Sequence, residues 1–284
     1  MNPLKVAVVT DALSDQFFFP LWRRYYGGLF GDENLFILGY AGGTAFDDPS
    51  LGGFMRLPHR YDDARRPRAC AGLVNRLLNS YDVVIRVDAD EFLVVDPRVA
   101  DSLLSFLEMT SNAYYSARGF DVVQLPTEAP LSAGPVLAQR RVAYPNSALN
   151  KTAITRMPLR WGPGFHWASV PPRFDGLFML HLKRIDIDWQ VDWYRTMTRN
   201  IAANPEVGDD LRDYYRADRE LILSYHRQVA ERPILRGIDA WYRDAHQARF
   251  LVSVQYDPES GLYEGEYDHE LVLCEIPESF RPML

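Results

Sequence analysis

The segment Asp82-Val83-Val84-Ile85-Arg86-Val87, running into Asp88-Ala89-Asp90-Glu91, constrains this chain more than any other. A short apolar, β-branched run of this kind is the pattern of a strand buried on both faces. Residues 69–80 precede it with Leu73, Val74, Leu77 and Leu78 at helical spacing. Lys5 to Thr10 is a similar apolar run near the start, and Asn34 to Leu38 reads as a second strand closed by the Gly39–Gly43 loop. Strands alternating with helices predict the α/β class, a mostly parallel sheet covered by helices. The 284 residues, 47% of them hydrophobic, suffice for one large core or one core with a helical annex.

Residues 97–108 predict another helix, with Val99, Leu103, Phe106 and Leu107 as its apolar face. From 119 to 175 the pattern is irregular and rich in Pro and Gly, with strand-like pieces at 119–125 and 151–156. Leu177 to Leu182 is a last strand of the sheet. After Trp189 the character turns helical. Trp193, Met197 and Ile201 lie four apart, then Leu211, Tyr215, Ile222, Tyr225 and Val229 follow one face, with Asp209 or Asp210 as N-cap and Pro233 as stop. The expected organisation is a catalytic domain over 1–188, a helical extension packed on it over 189–250, and a tail over 251–284. That tail has short strands at Leu251–Tyr256 and Glu270–Glu275.

Charge and composition narrow the partners. The 31 basic and 38 acidic residues leave a formal −7, without the basic excess of a nucleic-acid binder. Arg65-Arg66-Pro67-Arg68 is the dense basic patch: a solvated loop before a helix, or a contact for phosphate or an anionic membrane surface. Cys70 and Cys274 read as small core residues, not a disulfide framework. No run approaches the ~20 apolar residues of a membrane span. Asp11 and Asp15 stand where a signal peptide keeps its apolar region, so a cytoplasmic protein is expected, with at most peripheral membrane contact.

Asp88 and Asp90 sit at the carboxyl end of an apolar strand, where ligands bind in open α/β sheets. If the strand continued through them, their side chains would point to one side. Carboxylates converging there repel unless a cation lies between them, and oxygen ligands suit Mg²⁺ or Mn²⁺. Such an ion neutralises charge on a departing diphosphate. The plainer reading is a solvated acidic turn, against which the apolar flanks Val83–Val87 and Phe92–Val95 argue.

Tyr81 to Leu93 resembles the Asp-x-Asp segment of GT-A glycosyltransferases, and its Asp-x-Asp-Glu-Phe form is similar to family 2-like and family 92-like enzymes. Three further segments occur in the order those families show: Asn150-Lys151-Thr152-Ala153-Ile154-Thr155-Arg156, Gly164-Phe165-His166-Trp167, and Leu180-His181-Leu182-Lys183-Arg184. The Trp-bearing stretch Leu21–Tyr26 after the first strand also fits. The resemblance covers residues 4–190 and leaves the extension and tail unmatched.

It implies a GT-A-like, Rossmann-like mixed sheet and a metal-dependent transferase. A sugar would pass from a nucleoside diphosphate sugar, expected to be a UDP-sugar, to a glycan, lipid-linked or protein acceptor with inversion. Carried over, Asp90 is a ligand of Mn²⁺ or Mg²⁺, Asp88 touches the ribose or the metal through water, and Glu91 orients one of them. His181 completes the metal site, unless it is a core histidine hydrogen-bonded in its strand. Lys151, His166, Lys183 and Arg184 face the diphosphate, Thr10 and Asp11 the nucleobase, and Trp167 stacks on an acceptor sugar. His166 and Trp167 could equally plug a shaped loop. The general base is unassigned among Asp121, Glu128 and Asp175.

Two rivals use the same residues. A nuclease or phosphatase would need further acidic ligands and, for a nuclease, a more basic surface. A degenerate GT-A domain kept for carbohydrate binding would account for the missing base.

Overall fold

The computed structural model describes residues 3–13, 17–43, 46, 48–202, 218–242, 244–269 and 271–284. Asp15, Asp209, Asp210, Leu211, Tyr215 and Glu270, used in the sequence reading, lie outside the described residues. In chain order the elements open with β1 (Val6–Ala12), α1 (Phe18–Phe30), β2 (Leu35–Gly39), β3 (Gly53–Arg56), α2 (Arg66–Leu77), β4 (Val83–Arg86), β5 (Glu91–Val95) and α3 (Leu103–Met109). There follow β6 (Tyr114–Val123), β7 (Val142–Pro145), β8 (Thr152–Thr155), β9 (Phe174–Arg184), α4 (Ile187–Ala202) and α5 (Arg219–Ala230). Last come β10 (Ile234–Leu235), α6 (Asp244–Ser253), β11 (Gln255–Asp257), β12 (Leu262–Glu264) and β13 (Leu273–Glu275).

The chain divides into two compact units. One holds 1–120, 146–180 and 244–268; the other holds 121–145, 181–243 and 269–284. Two of the five divisions fall inside β6 and β9.

The first unit is a Rossmann-like α/β layer. Its strands run in the order β3-β2-β1-β4, parallel throughout, with β8 antiparallel beyond β4. The connection through α1 carries the chain from β1 to β2 on one side. The connection through α2 returns it from β3 to β4 on the other. The carboxyl ends of β1 and β4 therefore flank the point where strand order reverses, the crevice in which such sheets bind ligands. All seven residues of β1 are buried. One side of the sheet is closed by α2, whose Cys70, Ala71, Val74 and Leu77 pack with Ala7, Val9 and Val84. From α1, Trp22 and Tyr26 are wholly buried. The Tyr26 hydroxyl accepts from Leu93 N at 2.9 Å and donates to Glu91 O at 3.1 Å, tying that helix to β5.

Three expectations are corrected. The helix expected at 97–108 begins only at Leu103, because Ser102 and Ser105 form a reciprocal cap there. The irregular stretch 119–175 also contains β7, beside the strand-like pieces expected at 119–125 and 151–156, where the end of β6 and all of β8 lie. Of the strand expected at Leu251–Tyr256, Leu251 to Ser253 end α6 and only Gln255 and Tyr256 are strand, in β11; Phe250 is buried while Val252 is 84% exposed.

In the second unit β10, β13 and β7 are neighbours, and Val123, Leu125, Val142, Tyr144, Val229 and Leu273 form a core cluster. Asp218 caps α5 by accepting from Leu221 N at 2.8 Å. Cys70 and Cys274 are buried free thiols. No helix among the described residues is long and apolar enough to cross a membrane.

His226 of α5 has no exposed surface; its Nδ1 donates to Gln124 O at 2.7 Å and its Nε2 lies 2.9 Å from the Gln190 side chain. Burial pushes its pKa down to about 4. The folded state therefore excludes a proton that the unfolded chain accepts, so stability is complete above the ordinary value near ~6.5 and falls as pH drops toward 4. His226→Gln should flatten the pH 4–6.5 limb of urea-unfolding stability by roughly 2–3 kcal/mol. An unchanged limb would contradict the buried neutral imidazole.

Candidate functional site

The site builds outward from the carboxyl ends of β1 and β4. Parallel register sets Val9 beside Arg86, which brings Asp11 and Arg86 together. β4 stops at Arg86, and a turn follows in which Glu91 N donates to Asp88 O at 3.0 Å. The strand thus does not persist through Asp88 and Asp90, and the two side chains are set by a turn, not by strand alternation. Asp90 is half-buried in it.

Three cations converge on the acidic residues. Arg86, 2% exposed, reaches both Asp11 and Asp88 at 2.6 Å. Arg66 pairs with Asp88 and, at 3.1 Å, with Asp11. It stands in the first turn of α2, where Pro67 presets the backbone. Lys151, just before β8, lies 2.6 Å from Glu91 and 3.4 Å from Asp88. Glu91 in turn accepts from Asp88 N at 2.9 Å, which fixes the turn from below. Burial opposes the charge on Asp88, but Arg66, Arg86 and Lys151 outweigh it and hold its carboxyl well below the ordinary range. Burial likewise opposes the Lys151 ammonium, and Glu91 and Asp88 raise it above its usual value.

The Gly162–Trp167 loop roofs this network. Gly164 and Phe165 both take left-handed backbone, φ 62° and 60°. For a bulky residue such as Phe165 this costs on the order of 1–2 kcal/mol. Its ring offsets the cost by being buried and by stacking on the guanidiniums of Arg66 and Arg86. His166 donates from Nδ1 to Ala148 O, a carbonyl that can only accept, which fixes the tautomer. Burial first, then the charge of Lys151, pushes its pKa down to about 3, so it is neutral near pH 7.

Asp88, Glu91, Lys151 and His166, expected from separate segments, thus come together. Thr10 and Asp11 offer no surface to a base: Thr10 is wholly buried, and the Asp11 carboxylate is taken by Arg66, Arg86 and the Tyr40 hydroxyl. Asp175, the base candidate in this unit, accepts from Asn112 and Arg173. His181, Lys183, Arg184, Asp121 and Glu128 belong to the second unit. His181 Nδ1 lies 2.6 Å from the buried Asp121 carboxylate. Lys183 sits over the Trp193 ring at 4.4 Å and Arg184 over Tyr225 at 4.6 Å, cations seated on aromatic faces. Glu128 accepts from the backbone of Leu125 and Arg141, a structural cap.

The metal ligands expected are divided between the two units, Asp88 and Asp90 in the first and His181 in the second. Among the described residues no group of three or more His, Cys, Asp or Glu is placed to hold a metal ion. The Asp88 carboxylate is already shared by two guanidiniums and an ammonium. The sequence reading misses Arg66, which falls in the basic patch, and Arg86. An arginine inside an otherwise apolar strand is the available signal, since such a charge is buried only against a partner.

No protein-family model matches the chain. No curated protein matches it. Among solved structures it is similar to mannose-1-phosphate geranyltransferase from Thermus thermophilus, with a TM-score of 0.28 and 10% identity over 78% of this chain and 68% of that one. A likeness that weak transfers nothing about chemistry.

Removing one partner of a buried pair strands the other charge, at about 3–5 kcal/mol. Lys151→Met should lower stability by that amount in urea unfolding. Adding Glu91→Gln, which removes the stranded charge, should recover part of the loss. A double variant no better than the single would show that Lys151 stabilises by packing alone.

Proposed function

We propose that this chain is a glycosyltransferase, moving a sugar from a nucleoside diphosphate sugar, UDP-linked first among them, to a hydroxyl of a glycan, lipid-linked or protein acceptor. The observation that carries the reading is the set Arg66, Arg86, Asp88, Glu91, Lys151 and His166 at the carboxyl ends of β1 and β4.

In this reaction the bond from the sugar C1 to the diphosphate oxygen breaks and its electron pair leaves on the phosphate. The acceptor oxygen bonds to C1 and gives up its proton. We place the diphosphate against Arg66 and Lys151, where the growing negative charge would meet two cations. The planar fork of Arg66 can turn from Asp88 to two phosphate oxygens, a stronger contact as charge develops. His166, neutral with its Nδ1 proton committed to Ala148, keeps Nε2 as an acceptor for a sugar hydroxyl. The Mn²⁺ or Mg²⁺ expected from the Asp-x-Asp pattern is not matched by a ligand set among the described residues, so no step is assigned to it.

A second reading, a GT-A-like module that binds carbohydrate without turnover, is favoured by one observation: Asp88 is tied up by Arg66 and Arg86.

Calorimetry with UDP and GDP, each with and without Mn²⁺, decides between them. The transferase reading expects binding of one nucleoside diphosphate. Where that binding requires Mn²⁺, Asp90→Ala should weaken it at least about tenfold, with circular dichroism unchanged. If no nucleotide binds under either condition, the transferase reading falls.

A further inference from the structure

Trp167 and Tyr267 come from distant parts of the sequence and meet beside the candidate site. Their ring planes are 14° apart with centroids 6.2 Å apart, and Tyr267 also lies 5.1 Å from the His166 ring. Tyr267 belongs to the tail, in which the sequence carried no site residue.

Both rings are held firmly. Gly162 lets the indole lie against the backbone: a Cβ there would stand 3.0 Å from a Trp167 ring carbon. The same glycine donates to Trp167 O at 3.0 Å. The tail is stitched to this loop where Tyr263 N donates to Ala168 O at 2.8 Å. Directly after Tyr267, Asp268 N donates to Ser147 Oγ at 2.6 Å, and Ser147 N donates to Asp268 O at 2.8 Å. Asp268 is also paired with Arg249 at 3.0 Å. Ser147 begins the turn that leads to Lys151, so the tail is anchored to the segment that supplies the site's ammonium.

Despite these anchors Tyr267 remains 45% exposed. Here an aromatic face is ordered by its backbone and left open, beside a histidine that feels the charges of Lys151, Asp88 and Arg66. Aromatic faces carry partial negative charge, which complements the polarised C–H groups on one face of a pyranose. A few polar groups beside an apolar surface is also the usual make-up of a small-molecule site.

We propose that Trp167 and Tyr267 form the platform for the acceptor, and that the acceptor group is a pyranose ring, with Tyr267 a specificity-determining residue. The proposal rests on the transferase reading for the word acceptor. The platform itself is tested without it.

The test is saturation-transfer NMR with methyl β-glucoside, methyl β-galactoside and N-acetylglucosamine, each with and without UDP. At least one should receive saturation at its ring C–H protons. Tyr267→Ala should weaken that ligand about tenfold, the scale of one lost aromatic contact, and Tyr267→Phe should keep it. UDP affinity should stay within about twofold in both variants, since Tyr267 stands apart from the ion pairs of the charged residues. Should the alanine variant fail to fold, Tyr267→Leu keeps volume and removes the aromatic face. No saturation of any sugar, or binding indifferent to Tyr267, overturns the platform. Sugar binding that depends on Tyr267 in a protein that ignores UDP keeps the platform and removes the transferase.

Discussion

Everything at the candidate site depends on one buried ion network, in which Arg86 and Arg66 each join Asp11 to Asp88. Four elements meet through it: the end of β1, the first turn of α2, the end of β4 and the approach to β8. A guanidinium at the end of a buried strand is sustainable only with partners on both sides, and β1 and the turn after β4 provide them. The rest follows from that pairing. Glu91 is drawn under Asp88, Lys151 is drawn to Glu91, and Phe165 accepts an unfavourable backbone to lie over the two guanidiniums.

The parallel part of the fold was legible because its strands are continuous apolar runs. Lys5 to Thr10 and Val83 to Val87 each announce a strand buried on both faces, and the spacing of Val74 and Leu77 announces the helix between β3 and β4. The antiparallel part was legible in pieces: the end of β6, β8 and the middle of β9 were expected, and β7 was not. β6 carries Arg118, Gly119 and Asp121 inside ten residues, so its apolar run is broken and only its second half read as strand-like. Leu251-Val252-Ser253-Val254 looked like strand, although Leu251 and Val252 are exposed at the end of a helix whose buried face is set earlier, by Phe250.

At the site, the acidic cluster and Lys151 could be found from their own segments. For their cationic partners the local signals were a charge inside an apolar run, Arg86, and a basic patch holding Arg66; the pairing between residues 11, 66, 86 and 88 is a property of the strand order β2-β1-β4, not of any local pattern. Tyr267 was hidden for the same reason. It reaches Trp167 only because Asp268 and Tyr263 fasten the tail to two separate loops.

The charge count within the network has its own consequence. Three cations, Arg66, Arg86 and Lys151, face three carboxylates, Asp11, Asp88 and Glu91, with Asp63 at the rim. The centre is therefore electrically closed before any ligand arrives. An incoming anion cannot simply add to a positive hollow; it must trade places with a carboxylate, one charge-assisted contact replacing another. Association by such an exchange draws little on long-range attraction, so its rate should depend only weakly on ionic strength, unlike capture by an open basic patch.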